Sequence, residues 1–281
     1  MMPNPATFAL AGLIGWPVAQ SRSPVIQNHW LERHGIAGRY VLLPMAADQL
    51  ERALRGLPLL GFRGCNVTMP HKQSVMGLLD RIDPAARRIG AVNTVVVAED
   101  GTLGGFNNDG VGFVQSLDEA KPGWRADAGP ILVYGAGGAA RAVVAALLEH
   151  GARDIRIVSR TTARAEQLAA EIGGPLTTLG WEHRDEAMDD VALLVNATDR
   201  GMIGKSALDV SLARLPRAAI VSDLIYTPLE TPFLAEARAR GNLTVNGLGL
   251  LVHQARLAFE AWFGVRPEIT PELLRAVAAT F

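Results

Sequence analysis

The sequence predicts an α/β fold of two domains, with a parallel, doubly wound sheet in the second. Apolar runs of strand length alternate with amphipathic helical patterns, which is typical of a parallel sheet covered by helices. A glycine-rich turn at residues 135–140 connects such a strand to such a helix near the middle of the chain. Residues 121–130, immediately before that strand, are rich in Pro and Gly, so the domain boundary is expected there.

The N-terminal half shows its own strand and helix signals. Pro24 follows Ser23, an order that favours a helix start with Ser23 as its N-cap. Asp48 and Glu51 have the spacing of a capping box, which predicts a helix that ends near residues 56–58. The first elements are therefore expected as strands at 8–15 and 40–43 and helices that begin at Pro24 and after Asp48.

A hairpin is expected later in this half. Asp100-Gly101 stands between two β-prone runs and is the strongest short hairpin signal in the chain. Asp83 before Pro84 predicts a capped helix ahead of the hairpin. Another helix is expected after it, at residues 111–117.

Residues 64–72 form the densest polar cluster in an otherwise apolar setting. Asn66 and Thr68 alternate with apolar residues, so on a strand they would share one face. Pro70 is expected to open a helix with Lys72 in its first turn, where the helix dipole disfavours a cation. Lys72 is therefore either held there for a ligand or a solvated lysine that points outward.

Further polar residues lie near these elements. Capping explains Ser23 but not Ser21, and two hydroxyls beside a helix N-terminus would suit a carboxylate. Asn93 and Asp109 are expected on the paired strands of the hairpin, at the end away from its turn. Residues 107–110 could equally be a polar turn that leads into the next helix.

The glycine turn predicts a dinucleotide site. The β-prone run 131–134 precedes it, and a helical apolar pattern continues from it to Gly151. Gly135 permits a tight turn, Gly137 leaves room for a pyrophosphate, and Ala140 allows close packing of helix on strand. The phosphates would bind the N–H groups at the start of the helix. The alternative is a turn that only connects two elements.

The next strand, at 155–159, indicates which dinucleotide is bound. NAD-binding proteins usually carry an acidic residue at this strand tip for the ribose hydroxyl. Here the tip reads Ser159-Arg160-Thr161, Arg164 follows, and Asp154 lies at the other end of the strand. Guanidinium groups would attract a 2′-phosphate, so the sequence favours NADP. The alternative is a pair of solvated arginines on a surface turn.

The last helix carries one unusual polar residue. Gln254 falls on an apolar stripe at helical spacing, so its amide needs either a ligand or a backbone partner if it is buried. The stripe consists of Gly247, Leu251, Gln254, Ala258 and Trp262. The other elements expected after residue 160 are helices at 163–172 and 232–240 and strands at 191–197, 219–224 and 243–245.

Composition limits the classes of partner. The chain has 281 residues, 49% of them hydrophobic, and Lys plus Arg (27) nearly balance Asp plus Glu (28), which gives a net charge of −1. Neither nucleic acid nor a membrane is expected as a partner. The single cysteine, Cys65, fits a reducing compartment, and the short run from Phe8 to Trp16 lacks a basic leader, so a cytoplasmic location is expected. The histidines show no metal-ligand spacing, and no metal is expected.

Taken together, the motifs closely resemble those of the shikimate dehydrogenase family, in order from about residue 8 to about residue 265. The motifs are Ser21-Arg-Ser23-Pro24, Asn66-Val-Thr68-x-Pro70-x-Lys72, Gly90-Ala-Val-Asn93-Thr94, Asn107-x-Asp109-Gly110, Gly135-Ala-Gly-Gly-Ala139, Arg160-Thr161-x-x-Arg164, Asn196-Ala-Thr198, Tyr226-x-Pro-x-x-Thr231-Pro232 and Gly247-Leu-Gly-x-Leu-x-x-Gln254.

The resemblance implies a fold and an activity. It implies an N-terminal α/β substrate-binding domain, residues 1–120 completed by helices in 247–281, and a Rossmann-type NADP-binding domain, residues 121–246, with the site in the cleft between them. The activity would be reversible, NADP-dependent reduction of 3-dehydroshikimate to shikimate in the chorismate pathway of aromatic amino acid biosynthesis. The protein would be a monomer or a homodimer with a small-molecule substrate.

The resemblance also implies residue roles. Lys72 and Asp109 would be the catalytic pair, and Ser21 and Ser23 would hold the substrate carboxylate. The ring hydroxyls would contact Asn66, Thr68, Asn93, Tyr226 and Gln254. The residues that would bind NADP are Gly135, Ala136, Gly137, Gly138, Ala139, Ser159, Arg160, Arg164, Leu224 and Gly247.

Some positions depart from the usual family pattern, although none removes a catalytic group. They are Asn108 for Thr, Ser159 for Asn, Asp199 for Ser, Asn246 for Asp and Leu250 for Met. They leave open a paralogue that acts on quinate or an amino analogue, or uses NAD, and a regulatory nucleotide-binding protein on the same scaffold. Ser23 favours shikimate, because quinate-preferring relatives tend to have Thr there. The acid–base pair argues against a regulatory protein, which would not need one.

Overall fold

The computed structural model describes residues 8–280, and their fold is α/β as predicted. The strands are β1 (Ala9–Gly15), β2 (Gly38–Pro44), β3 (Phe62–Val67), β4 (Arg81–Ile82), β5 (Thr94–Val97), β6 (Leu103–Phe106), β7 (Ile131–Tyr134), β8 (Ile155–Ser159), β9 (Leu176–Gly180), β10 (Leu193–Asn196), β11 (Ile220–Asp223) and β12 (Leu243–Val245). The α-helices are α1 (Ser23–Arg33), α2 (Leu50–Gly56), α3 (Pro84–Ile89), α4 (Asp109–Ala120), α5 (Gly138–Glu149), α6 (Thr162–Ile172), α7 (Pro232–Ala239), α8 (Gly247–Phe263) and α9 (Pro271–Ala278).

The chain forms two compact units. The first contains the residues up to Asn108 together with 254–280, and the second contains 109–253. The first unit is thus shorter at both junctions than the sequence predicted. Close packing of α4 on α5 explains the first of these differences, since a Cβ on Gly110 of α4 would lie 2.7 Å from the Ala142 carbonyl oxygen of α5.

The first unit is built on a mixed sheet in the order β2-β1-β3-β5-β6-β4. Strands β1, β2 and β3 are parallel, because helices connect them, whereas β5 runs antiparallel to β3 and forms the predicted hairpin with β6. Gly101, in the hairpin turn, has φ +82°. Ile14, Val67 and Val95 from three adjacent strands lie in one buried core.

Three local predictions around Lys72, α1 and α2 need correction. Pro70 does not open a helix: His71 N–H closes a turn on the Thr68 carbonyl at 2.9 Å, and Lys72 lies in the turns that precede a 3-10 segment at Ser74–Leu78. Ser23 is the first residue of α1 and not its cap. The expected capping box fails too, since a 3-10 turn precedes α2 and no side chain caps either segment.

The second unit contains a parallel sheet in the order β12-β11-β10-β7-β8-β9. Side chains of successive residues in a strand point to opposite faces. Accordingly, Ile131 and Val133 of β7 belong to one apolar core, whereas Leu132 and Tyr134 belong to another on the opposite face. Helices cover both faces, so the sheet is doubly wound, as the sequence predicted.

Candidate active site

The first unit gathers the predicted substrate residues at one edge of its sheet. The parallel strands β1 and β3 end at this edge, and β5 begins there because it is antiparallel to β3, with Asn66 paired to Thr94. Asn66 lies near the end of β3 and Ser23 is the first residue of α1. The loops and turns at this edge carry Ser21, Thr68, Lys72 and Asn93. Asn93 thus lies just before β5 and not on it.

The two serines form a pair at the start of α1. The Ser21 hydroxyl lies 3.2 Å from the Ser23 hydroxyl and also accepts the Ser23 backbone N–H at 3.2 Å. Ser23 is buried and Ser21 half-buried. Pro24 has no N–H, and the Val25 N–H donates to the Arg22 carbonyl at 3.0 Å, so the first turn offers few free N–H groups. What favours an anion here is the positive end of the helix dipole together with the two hydroxyls.

The segment that carries Lys72 is anchored on both sides. The Thr68 N–H donates to the Ile14 carbonyl at 2.9 Å, and the Lys72 carbonyl accepts the Val92 N–H at 2.8 Å. Buried His71 lies between them, with Nε2 2.7 Å from the Met45 carbonyl oxygen. A carbonyl can only accept, so Nε2 carries the proton. These bonds hold the backbone of half-buried Lys72 in place.

Amides lie deeper at the same edge. The Asn66 Nδ2 donates to the Asn93 carbonyl and to the Thr94 hydroxyl, each at 3.2 Å. The Asn93 Nδ2 faces Gln254 Oε1 at 3.5 Å, so Gln254 has a side-chain contact although it lies on the apolar stripe of α8. The predicted residues Asn66, Asn93 and Gln254 therefore form one group.

In the second unit, the glycine turn has the geometry that a pyrophosphate requires. Gly135 has φ +108°, and a Cβ there would lie 3.0 Å from the Ala197 carbonyl oxygen. A Cβ on Gly137 would meet no atom within 4 Å, so space is open beside the backbone at that residue. Gly137 is the N-cap of α5 and no side chain caps that helix, which leaves the N–H groups of Gly138 and Ala139 for an anion. A dinucleotide therefore fits this turn.

The β8 tip presents positive charge. Arg160 and Arg164 are exposed, and within residues 8–280 neither guanidinium forms an ion pair or a hydrogen bond. Ser159 is buried and its hydroxyl accepts the Thr161 N–H at 3.3 Å, which shapes the turn. Asp154, at the opposite end of β8, pairs with Arg156 at 3.2 Å. Asp154 is thus paired away from the β8 tip.

A buried carboxylate organises the neighbouring strand ends. Asp223, the last residue of β11, accepts hydrogen bonds from the Thr231 hydroxyl at 2.7 Å, Asn196 Nδ2 at 3.0 Å and the Ile225 N–H at 3.1 Å. Burial raises the pKa of the Asp223 carboxyl to about 6, against the opposing effect of these three donors. The residue links the ends of β10 and β11 to the loop before α7.

The predicted cofactor residues Leu224 and Gly247 lie side by side beyond this carboxylate. The Gly247 N–H donates to the Ile225 carbonyl at 2.9 Å, and a Cβ on Gly247 would come within 2.1 Å of the Leu224 carbonyl oxygen. Only glycine permits this approach. Tyr226 follows in the same loop and is half-buried. Asp109 is the buried first residue of α4 and does not lie on a hairpin strand as expected, because β6 ends at Phe106.

The departures from the family pattern have local partners. Lys205 Nζ lies 3.6 Å from Asp199, so the unexpected acid is neutralised within its own loop. Asn246 Oδ1 accepts the Leu248 N–H at 3.1 Å at the start of α8. Asn108 donates through its backbone N–H to Asn93 Oδ1 at 3.0 Å. Leu250 packs against the core that contains Val133.

Sequence reasoning missed several residues that hold this site together. Tyr40, Thr94, His71 and Asp223 are buried polar residues whose partners lie far away or on another strand. A polar residue inside a β-prone run, as at Thr94 and Asp223, was the available signal. Within residues 8–280, no cluster of His, Cys, Asp and Glu could hold a metal, and no helix is long and apolar enough to cross a membrane.

Comparisons with known proteins identify the family. Residues 13–95 match the model of the shikimate dehydrogenase substrate binding domain, 120–220 that of shikimate/quinate 5-dehydrogenase, and 247–271 that of the shikimate 5′-dehydrogenase C-terminal domain. The chain belongs to the shikimate dehydrogenase family. The resemblance seen in the sequence motifs is thereby confirmed.

Similar proteins span the whole chain. A shikimate dehydrogenase (NADP⁺) from Paramagnetospirillum magneticum is 53% identical over 264 residues, which cover 94% of this chain and 96% of the relative. That from Paracoccus denitrificans is 51% identical over 278 residues, 99% of each chain.

Solved structures share the fold. A shikimate dehydrogenase in complex with NADP⁺ has a TM-score of 0.88 at 37% identity, covering 100% of this chain and 97% of that chain. The Thermus thermophilus enzyme in complex with NADP(H) and shikimate has a TM-score of 0.86 at 38% identity and covers 98% and 99%. A quinate dehydrogenase from Corynebacterium glutamicum in complex with NAD reaches 0.88 at 31% identity, covering 97% and 98%.

Proposed function

We propose that this chain catalyses the reversible, NADP-dependent reduction of 3-dehydroshikimate to shikimate. The observation that carries the proposal is about 50% identity, over almost the whole chain, to proteins named shikimate dehydrogenase (NADP⁺). The uncapped glycine turn and the two unpaired arginines at the β8 tip support NADP as the cofactor.

Lys72 and Asp109 are the proposed acid–base pair. NADPH, when bound, supplies the hydride. As the ring carbonyl becomes an alcohol, its oxygen gains negative charge and must receive a proton, which Lys72 provides; in the reverse direction Lys72 accepts it. Asp109 orients the amine and offsets the cost of removing its charge from water. The anchored backbone of residues 68–72 supports this role, because a proton donor must be held in place.

The remaining predicted residues bind the two ligands. Paired hydroxyls at the start of a helix, where the dipole favours an anion, suit the substrate carboxylate, which assigns it to Ser21 and Ser23. The ring hydroxyls are assigned to Asn66, Thr68, Asn93, Tyr226 and Gln254. The cofactor is assigned to Gly135, Ala136, Gly137, Gly138, Ala139, Ser159, Arg160, Arg164, Leu224 and Gly247.

The division of roles follows the two units. Residues up to Asn108 with 254–280 bind substrate, and residues 109–253 bind cofactor, apart from Asp109 and Tyr226, which act on substrate.

We propose a cytoplasmic enzyme that acts as a monomer or homodimer. Cys65 is buried, and burial raises the pKa of its thiol to about 12, which is consistent with a chain that forms no disulfide.

A paralogue that prefers quinate, or an amino analogue, and NAD is the second candidate. The 31% identity to a quinate dehydrogenase in complex with NAD favours it less than the higher identities favour shikimate and NADP. The internal pairing of Asp199 with Lys205 also weakens the case for an altered cofactor loop.

Steady-state assays that cross shikimate and quinate with NADP⁺ and NAD⁺ test the proposal. The expected result is a kcat/KM for shikimate with NADP⁺ that is highest of the four combinations. A higher value for quinate or for NAD⁺ would favour the paralogue, and no turnover with any combination would favour a regulatory protein.

A further inference from the structure

Behind the substrate edge of the first unit lies a network of buried side chains. The Tyr40 hydroxyl donates to Asn66 Oδ1 at 2.8 Å, and the Thr94 hydroxyl lies 3.2 Å from Asn66 Nδ2. Tyr40 is 1% exposed and Thr94 is fully buried. Neither residue belongs to the assigned substrate contacts.

The hydrogen bonds fix which way the Asn66 amide faces. The Asn93 carbonyl can only accept, so the group 3.2 Å from it must be Nδ2 and not Oδ1. The second N–H of Nδ2 is directed to the Thr94 hydroxyl. Oδ1 must therefore face Tyr40, whose hydroxyl occupies one of its two lone pairs.

The Thr94 hydroxyl is saturated by its neighbours. It donates to Asn93 Oδ1 at 2.8 Å and accepts from Asn66 Nδ2 at 3.2 Å and Asn108 Nδ2 at 3.1 Å. One hydroxyl supplies one donor and two lone pairs, so no capacity remains. Thr94 therefore serves the amides around it and binds no ligand itself.

Both N–H donors of Asn66 are thus used inside the protein, and one lone pair of Oδ1 remains. We propose that Tyr40 and Thr94 are positioning residues that make Asn66 an acceptor towards substrate, so that the ring hydroxyl bound there must donate its proton. This inference rests on the proposed function and on the assignment of Asn66 to substrate.

The network also explains why the amide stays in one orientation. A flip would place Oδ1 against the Asn93 carbonyl oxygen and Nδ2 against the Tyr40 hydroxyl, leaving two buried acceptors in contact. An unsatisfied buried polar group costs about 1–3 kcal/mol. Tyr40 and Thr94 hold the amide from opposite sides, so loss of either hydroxyl loosens it.

The test uses Tyr40→Phe and Thr94→Val in the full-length protein. Each is expected to raise the KM for shikimate about five- to tenfold, the effect of one buried hydrogen bond, with kcat changed less than about twofold and the KM for NADP⁺ unchanged. Thr94→Ser keeps the hydroxyl, so its KM for shikimate should be close to that of the wild type. Tyr134→Phe is the matched control, because it removes a buried hydroxyl bonded to the Arg184 carbonyl in the second unit and should leave the shikimate KM unchanged.

Substrate analogues separate positioning from a general loss of stability. Removing the ring hydroxyl that Asn66 binds should lower the affinity of Tyr40→Phe for the substrate less than it lowers that of the wild type. Removing any other ring hydroxyl should lower the affinity of both enzymes equally. An analogue with fluorine in place of that hydroxyl cannot donate a hydrogen bond. It should therefore bind the wild-type enzyme no more tightly than the analogue that lacks the hydroxyl.

Two results would overturn the inference. One is that removing each ring hydroxyl lowers the affinity of the wild type and of Tyr40→Phe by the same factor; the other is that the fluoro analogue binds the wild type as tightly as the hydroxyl compound. If the wild type fails to oxidise shikimate with NADP⁺, the proposed function fails, and that outcome is distinct from either of these.

Discussion

Alanine substitutions at two glycines of the nucleotide turn should have opposite consequences. Gly137→Ala is expected to weaken NADP binding and leave the fold intact. Gly135→Ala, two residues earlier, is expected to destabilise the fold. The pair separates a glycine required by a ligand from a glycine required by the backbone.

The structure gives the size of each effect. Gly137 has φ −86° and ψ −175°, which any residue adopts, and its added Cβ meets no atom within 4 Å. Alanine there should leave stability unchanged or raise it by about 0.4–1 kcal/mol, because the unfolded chain loses freedom. The methyl group would occupy the space through which the pyrophosphate approaches, so the Kd for NADP⁺ should rise on the order of 100-fold, about 2.7 kcal/mol.

Gly135 differs in both backbone and surroundings. Its φ of +108° is unfavourable for any residue with a Cβ, and that atom would lie 3.0 Å from the Ala197 carbonyl oxygen. The expected loss of stability is about 1–3 kcal/mol.

Urea denaturation and calorimetric titration with NADP⁺ measure the two quantities in each variant. The expected pattern is wild-type stability with weak binding for Gly137→Ala, and lowered stability for Gly135→Ala. If Gly137→Ala bound NADP⁺ as tightly as the wild type, the pyrophosphate would not approach this turn and the assignment of residues 135–139 would be wrong.

Two further predictions concern charge in the second unit. Burial raises the pKa of the Asp223 carboxyl from 3.8 to about 6, so the folded state binds this proton more tightly than the unfolded chain, and the residue's contribution to stability falls as pH rises from about 4 to about 6. Asp223→Asn removes this dependence on pH. In urea titrations, the unfolding free energy of the variant relative to wild type should increase by about 2 kcal/mol between about pH 4.5 and about pH 7.5. A difference between variant and wild type that does not change with pH would contradict the raised pKa of Asp223. Arg160→Ala should weaken NADP⁺ binding on the order of tenfold or more and NAD⁺ binding little, whereas the control Arg153→Ala, an exposed arginine before β8, should change neither. Equal losses for the two cofactors would show that Arg160 does not read the 2′-phosphate.

The elements predicted most accurately have a local cause. The strand, turn and helix around Gly135 follow from residues adjacent in sequence, and the structure places β7 at Ile131–Tyr134 as expected. Strand β9 was not predicted, because it is an edge strand, Leu176–Gly180, with polar threonines and no fully buried residue. The short helix α9 likewise received no boundaries of its own.

The structure of the Lys72 segment depended on contacts distant in sequence. Pro70 is a common first residue of a helix, which made that prediction reasonable. In the structure, the Thr68 N–H bonds to β1 and the Lys72 carbonyl bonds to Val92, so the backbone follows the sheet edge and forms turns. Tertiary hydrogen bonds outweighed the local preference.

The predicted site residues could be recognised from the local sequence, whereas the residues that orient them could not. Asn66 and Asn93 stood out as polar residues in apolar surroundings. The role of Thr94 depends on the pairing of β3 with β5, and that of Tyr40 on the order of β2, β1 and β3, neither of which one sequence specifies. Sequence therefore indicated the groups that face a ligand but not those that orient them.

The central claim, that Lys72 exchanges a proton with the ring oxygen, is tested most directly by comparing kcat with ligand affinity in Lys72→Ala. The account predicts a fall in kcat on the order of 100-fold or more, with the Kd for NADPH nearly unchanged, because the interaction is made in the transition state. A variant in which only the KM for shikimate changed, at wild-type kcat, would show that Lys72 binds substrate without taking part in proton transfer.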